Sequence, residues 1–103
     1  MRIGIDFDGV LCERDGIPRG DEWIYSLPVD NAQEAITFLM KQHDVYVFTN
    51  RTKKDWPQMK EWLNDHGFPE MRITNKKLPN TKIYIDDRCL RFTNWLDVCK
   101  YFG

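Results

Sequence analysis

Cysteine, histidine, net charge and long apolar runs are all scarce in this chain, and each scarcity excludes something. There are three cysteines, Cys12, Cys89 and Cys99, and no pair has the close spacing of a zinc or redox motif. No histidine stands near Cys12 in the sequence to activate it as a nucleophile. Three free thiols in a reducing, cytoplasmic compartment is the expectation. No apolar run approaches the length of a membrane span, and no signal-peptide core follows Met1, so no membrane partner is expected. A formal net charge of −1 excludes a global electrostatic footprint for nucleic acid or for an anionic membrane. Internal repeats and low-complexity stretches are absent as well. Basic residues cluster only locally, in "NRTKK" from Asn50 and "NKK" from Asn75.

What is present suffices for a core. The 103 residues are 42% hydrophobic, with four Trp and six Phe, and fit one domain spanning 1–103. Four apolar runs predict buried strands at 2–7, 44–49, 71–73 and 82–86, rich in β-branched and aromatic residues between polar turns. A helix is predicted over 30–42, with Asp30 as N-cap, Gln33 at capping-box spacing, and Ala32, Ala35, Ile36, Leu39 and Met40 on one face. A second is predicted over 55–66: Asp55 caps it, Pro57 is tolerated in its first turn, and Gly67 stops it. Trp56, Met59, Trp62 and Leu63 form its apolar face, a stripe that suits core packing better than stacking on a ligand. His43 and His66 fall at helix ends, in structural positions. A short final helix follows Asn94, and residues 13–28 read as a loop or small hairpin beside the first strand. Strands alternating with helices predict an α/β domain with a mainly parallel sheet.

In an open parallel sheet, ligands sit beyond the carboxyl ends of the strands. The first strand delivers Asp6 and Asp8 there, on the same face because strand side chains alternate. The second delivers Thr49, Asn50 and Arg51, and the last Asp86 and Asp87. Lys76 and Lys77 follow the third, and Lys77, nearer the next strand, is the favoured one. Carboxylates converging at one edge must either protonate or share a cation. Oxygen donors without His or Cys suit Mg²⁺. A hydroxyl and a lysine opposite them suit a phosphoryl group. Gly9 lets the chain turn close to such a group without a side chain in the way.

"DFDGV" at Asp6, "FTNR" at Phe48, a lysine at Lys76 or Lys77 and "YIDDR" at Tyr84 resemble the four motifs of the haloacid dehalogenase superfamily, in that superfamily's order. The resemblance spans residues 3–88. It implies a Rossmann-like three-layer sandwich and a phosphohydrolase with Mg²⁺ as cofactor. Asp6 would be the nucleophile that becomes an aspartyl phosphate, and Asp8 the general acid and base, with its backbone carbonyl on the metal. Thr49 and Lys77 would hold the phosphoryl group, with Asn50 and Arg51 as further substrate contacts. Asp6, Asp8, Asp86 and Asp87 would form the metal site. An acid at Asp8 favours the branches that hydrolyse phosphate esters.

The spaces between the motifs hold one helix each and the short loop, so no cap domain is expected. An uncovered site admits a small phosphorylated molecule or the end of a polymer; nucleic acid enters only as substrate. Trp23 and Tyr25 are candidate substrate contacts in the loop. Two alternatives stand beside this expectation. One is a receiver-like phospho-acceptor, although the tip of the second strand is Thr49 rather than an acid. The other is a binding module that keeps the fold without turnover.

Overall fold

The computed structural model describes residues 1–14 and 26–103. Trp23, Tyr25 and most of the predicted 13–28 loop lie outside the described residues. The ends of that loop are tied together: Glu13 N donates to Leu27 O at 3.0 Å, Val29 N to Leu11 O at 2.9 Å, and Cys12 bridges Pro28 in antiparallel fashion.

The elements run β1 (Arg2–Ile5), α1 (Ala32–Met40), β2 (Asp44–Phe48), α2 (Trp56–Asp65), β3 (Ile73–Thr74), β4 (Thr81–Ile85) and α3 (Trp95–Tyr101). All four strands are parallel, in the order β3-β2-β1-β4. This is the predicted α/β arrangement, Rossmann-like and, among the described residues, without a cap domain. Among the described residues no helix is long and apolar enough to cross a membrane.

The path from β1 through β2 to β3 moves steadily in one direction, so right-handed crossovers put α1 and α2 on the same face. The core lies between that face and the helices: Ile3, Ile5 and Phe7 from the first strand and its extension, Val45 and Val47 from β2, Ile36 from α1, and Met59, Trp62 and Leu63 from α2. Phe7 and Trp62 meet edge to face at 5.3 Å, and Trp62 stacks on Phe68 at 5.7 Å. The chain then reverses. After β3 it passes over β2 and β1 and enters β4 on the far side, with residues 75–80 as the whole connection. That connection crosses the other face, where Leu78 N donates to the Tyr46 hydroxyl at 3.3 Å and Arg2 Nη1 to Pro79 O at 2.7 Å. Gly4 lies under the rings of this face: a Cβ there would stand 2.8 Å from the Tyr84 ring and 3.0 Å from the Tyr46 hydroxyl.

The helix ends differ in part from expectation. The N-cap of α1 is Asn31 rather than Asp30, in a left-handed conformation (φ 68°) that asparagine tolerates, and no side chain caps it. The Gln33 amide is drawn away from any capping box because it donates to His66 O, at the end of α2. Asp55 stands at the N-cap position of α2 but its side chain makes no capping hydrogen bond, and Gly67 follows the end of that helix at φ 78°. Asn94 caps α3, its Oδ1 accepting from Asp97 N at 2.9 Å. The third strand starts two residues and ends one residue later than its apolar run, because Val47 and Thr49 pair with the backbone of Arg72 and Thr74.

Met59 is fully enclosed (0% exposed) under the sheet. Met59→Ala should lower unfolding free energy by about 2–5 kcal/mol, read from urea denaturation with an unchanged m-value.

Candidate functional site

The crevice of an open parallel sheet forms where the strand order reverses. Here that point is between β1 and β4. Asp6 N donates to Ile85 O at 3.0 Å, so pairing with β4 continues one residue past β1 and brings Asp6 beside Asp86. Oxygens of Asp6, Asp86 and Asp87 all lie within 4.8 Å of one another.

Beyond Phe7 the chain coils tightly. The backbone N–H groups of Leu11 and Cys12 both donate to Phe7 O at 3.0 Å, and Gly9 takes φ 84°. The coil turns Asp8 toward Arg51, which grips it with two hydrogen bonds: Nε to Oδ2 at 2.9 Å and Nη2 to Oδ1 at 2.6 Å. The Arg51 guanidinium is buried, with its carbon 5.3 Å from the centre of the Phe7 ring. Such a pair fixes the plane of the carboxylate as well as its position. Thr49 is buried behind these residues, its N donating to Thr74 O and its Oγ1 accepting from Arg51 N at 3.1 Å.

A second arginine faces the other acids. Arg14 Nε and Nη2 each donate to Asp87 at 2.7 Å. The pair fills the space beside Gly9: a Cβ on Gly9 would stand 2.5 Å from Arg14 Nε and 2.8 Å from Asp87 Cγ. The missing side chain at Gly9 thus makes room for an ion pair. Asp86 is held by its own turn, its Oδ1 accepting from Arg88 N at 2.8 Å.

The electrostatics follow this geometry. Asp6 is pushed up to about 6, first by burial and then by the charges of Asp86, Asp8 and Asp87, against a hydrogen bond from Phe7 N. Asp87 moves the other way, below the ordinary carboxylate range, because Arg14 donates two hydrogen bonds to it. Asp6, Asp8, Arg14, Arg51 and Asp86 line an open crevice of about 540 Å³, together with Asn50. Asp6 and Asp86 also border a second cleft, of about 680 Å³, which contains Lys77. The Lys77 ammonium stands 5.4 Å over the Tyr84 ring. Lys76 lines neither space; its backbone N donates to Thr74 Oγ1.

The structure therefore brings together Asp6, Asp86 and Asp87, sets Asp8 beside them on Arg51, and puts Lys77 on the far side of Asp6. Thr49 is close to Arg51 but does not line the crevice. Cys12 is buried with its Sγ 3.8 Å from Ser26 O, away from any role as a nucleophile. Arg14 had no signal in the sequence beyond being a basic residue soon after the first acids.

No family model and no curated protein matches the chain. A conserved protein from Bacteroides thetaiotaomicron, of known structure, is similar in fold: TM-score 0.67 and 22% identity, over 99% of this chain and 88% of that one. The likeness is one of fold.

Three carboxylates with no nitrogen or sulfur donor among them suit a hard divalent cation, which would relieve the part of the upward push on Asp6 that comes from neighbouring charges, burial being the larger part. Without a cation, the folded chain keeps the Asp6 proton between pH 3.8 and about 6, where the unfolded chain has released it. This contribution to stability is complete below pH 3.8 and is lost as pH rises through about 6. Asp6→Asn should remove that slope, a change on the order of 1 kcal/mol once solvent screening of a half-exposed group is allowed for, seen by comparing denaturation at pH 4 and pH 7 in chelator. Arg14→Ala should return the Asp87 carboxyl toward its ordinary range, followed by carboxyl-carbon NMR titration.

Proposed function

We propose that the protein is a Mg²⁺-dependent phosphohydrolase that cleaves phosphate monoesters through an aspartyl phosphate on Asp6. The observation that carries this is the convergence of Asp6, Asp86 and Asp87 oxygens within 4.8 Å at the strand-order reversal, with Asp8 fixed alongside.

Asp6, Asp86 and Asp87 would hold the cation, which when bound neutralises charge on the phosphoryl oxygens and on the carboxylates. Asp6 attacks phosphorus and displaces the alcohol; water then cleaves the acyl phosphate and releases inorganic phosphate. Asp8 is the general acid and base of this reading: both its oxygens accept from Arg51, so it takes a proton from solvent before passing it to the leaving oxygen, and later takes one from the attacking water. Arg51 aims the Asp8 carboxylate and adds positive charge at the crevice wall. The Thr49 oxygen accepts from Arg51 N and so holds the backbone that carries Arg51, from a position behind the crevice wall. Lys77 supplies a point charge across Asp6 and Asp86, and Asn50 a polar contact in the crevice. Most of the rate enhancement in phosphoryl transfer comes from such positioning and charge neutralisation. The open crevice suits a small phosphorylated molecule or an exposed polymer end. A cytoplasmic location goes with the free thiols, of which Cys89 and Cys99 are exposed.

One observation favours a second reading, a binding module without turnover: Arg14 already neutralises Asp87, one of the three cation ligands. Phosphate release separates the two. Steady release from an aryl phosphate with Mg²⁺, lost in EDTA, is expected of the enzyme, with Asp6→Asn lower by at least ~10³-fold. Activity that persists in EDTA or in the variant would remove the mechanism.

A further inference from the structure

The C-terminal segment carries apolar surface that the fold leaves uncovered. α3 buries none of its residues, and Phe92, Trp95, Leu96, Tyr101 and Phe102 are between 59% and 75% exposed. A seven-residue helix does not hold by itself in water; helices of this length depend on packing. Asn94 caps its first turn, which orders the start but covers no apolar surface.

Beside it lies a second uncovered surface. Among the described residues β4 is an edge strand, paired to β1 alone, and Ile83, Ile85 and Leu90 are 38–45% exposed. Edge strands of this kind are usually blunted by charge, proline or a covering element. The cleft of about 680 Å³ runs along this edge on the sheet face away from α1 and α2, lined by Phe48, Tyr84, Leu90 and Phe92, while the side chains of Ile83 and Ile85, in register with Ile3 and Ile5, stand at the same edge on the helix side.

We infer that these two surfaces form the interface of a twofold homodimer, in which segment 89–102 of each chain lies against the β4 side of the other. The occupant is a second copy because both halves of the contact stand on one chain. An isologous pairing covers two helices and two edge strands in one step. The area agrees: four largely exposed rings, each worth ~150–250 Å² when buried, with the exposed aliphatic residues around them, leave on the order of 800 Å², the amount each partner gives to a stable interface of ordinary size. Lys82, Arg91, Asp97 and Lys100 stand among these apolar residues along the sequence and supply both signs of charge for a polar rim. The interface does not depend on whether the acids turn over a phosphate.

Light scattering and sedimentation equilibrium of the full chain test this. The expected mass is twice the 12.4 kDa of the chain. Trp95→Glu and Phe102→Glu should each raise the dimer dissociation constant by on the order of 100-fold or more, because every substitution acts twice in a twofold contact. Phe38→Glu, an equally exposed position on α1, should leave the dimer intact. Circular dichroism melts establish that each variant is folded. A monomeric wild-type chain overturns the inference, and co-flotation of that monomer with phosphatidylcholine vesicles would assign the surface to lipid. A dimer that survives both C-terminal substitutions, or that Phe38→Glu dissociates as readily, overturns it too.

Discussion

Everything at the strand-order reversal depends on one contact, the hydrogen bond from Asp6 N to Ile85 O. It extends the pairing of the first strand with β4 by one residue and so fixes the distance between Asp6 and the two acids that follow β4. Parallel pairing has no freedom to ease this: sliding the strands apart would break the register of Gly4 with Tyr84 and Ile5 with Ile85. Like charges are therefore held close by the sheet, and the cost appears where burial is greatest, on Asp6. Asp87, more exposed and gripped by Arg14, moves the opposite way. The two acids thus part for separate reasons, burial with neighbouring charge on Asp6 and the Arg14 pair on Asp87.

Two arginines make the cluster tolerable. Arg51 lies flat against Phe7 and closes on Asp8, so the same side chain packs the core and orients an acid at its border. Arg14 reaches Asp87 only because Gly9 has no Cβ and adopts a left-handed backbone. The two pairs differ in what they can yield. Arg51 is buried, and losing its partner would strand a charge in the core. Arg14 and Asp87 are each about one-third exposed, so that pair can open at small cost and exchange its guanidinium for another cation.

The order of elements, the parallel sheet and the acids at the strand ends were legible in the sequence, because apolar runs and strand tips are local patterns. Asp6 and Asp8 follow a buried run, and Asp86 and Asp87 follow β4, which is expected to be buried but buries none of its residues because it lies at the sheet edge; a parallel sheet aligns such positions at one edge. The partners of those acids were not legible. Arg51, a candidate substrate contact by its place after β2, also grips Asp8, and Arg14, which has no signal of its own in the sequence, holds Asp87. Both pairings join residues more than forty positions apart, and no spacing rule encodes which acid an arginine will meet. Gly9 was read as room for a phosphate, while the space beside it holds the Arg14–Asp87 pair. The cap of α1 failed for the same reason: His66, a third of the chain away, claims Gln33.

The asymmetry of the sheet has one further consequence. Six residues join β3 to β4, enough to cross the face but not to form a helix on it. Among the described residues that face is covered by the connection itself and the rings of Tyr46 and Tyr84, while the opposite face carries both α1 and α2. A sheet buried on one side and open on the other normally shows polar residues on its open side. Here the open side shows Phe48, Tyr84 and an apolar C-terminal segment next to them. A short connection that leaves one layer unbuilt, beside a helix that has buried nothing, leaves apolar surface that only a further packing partner can cover.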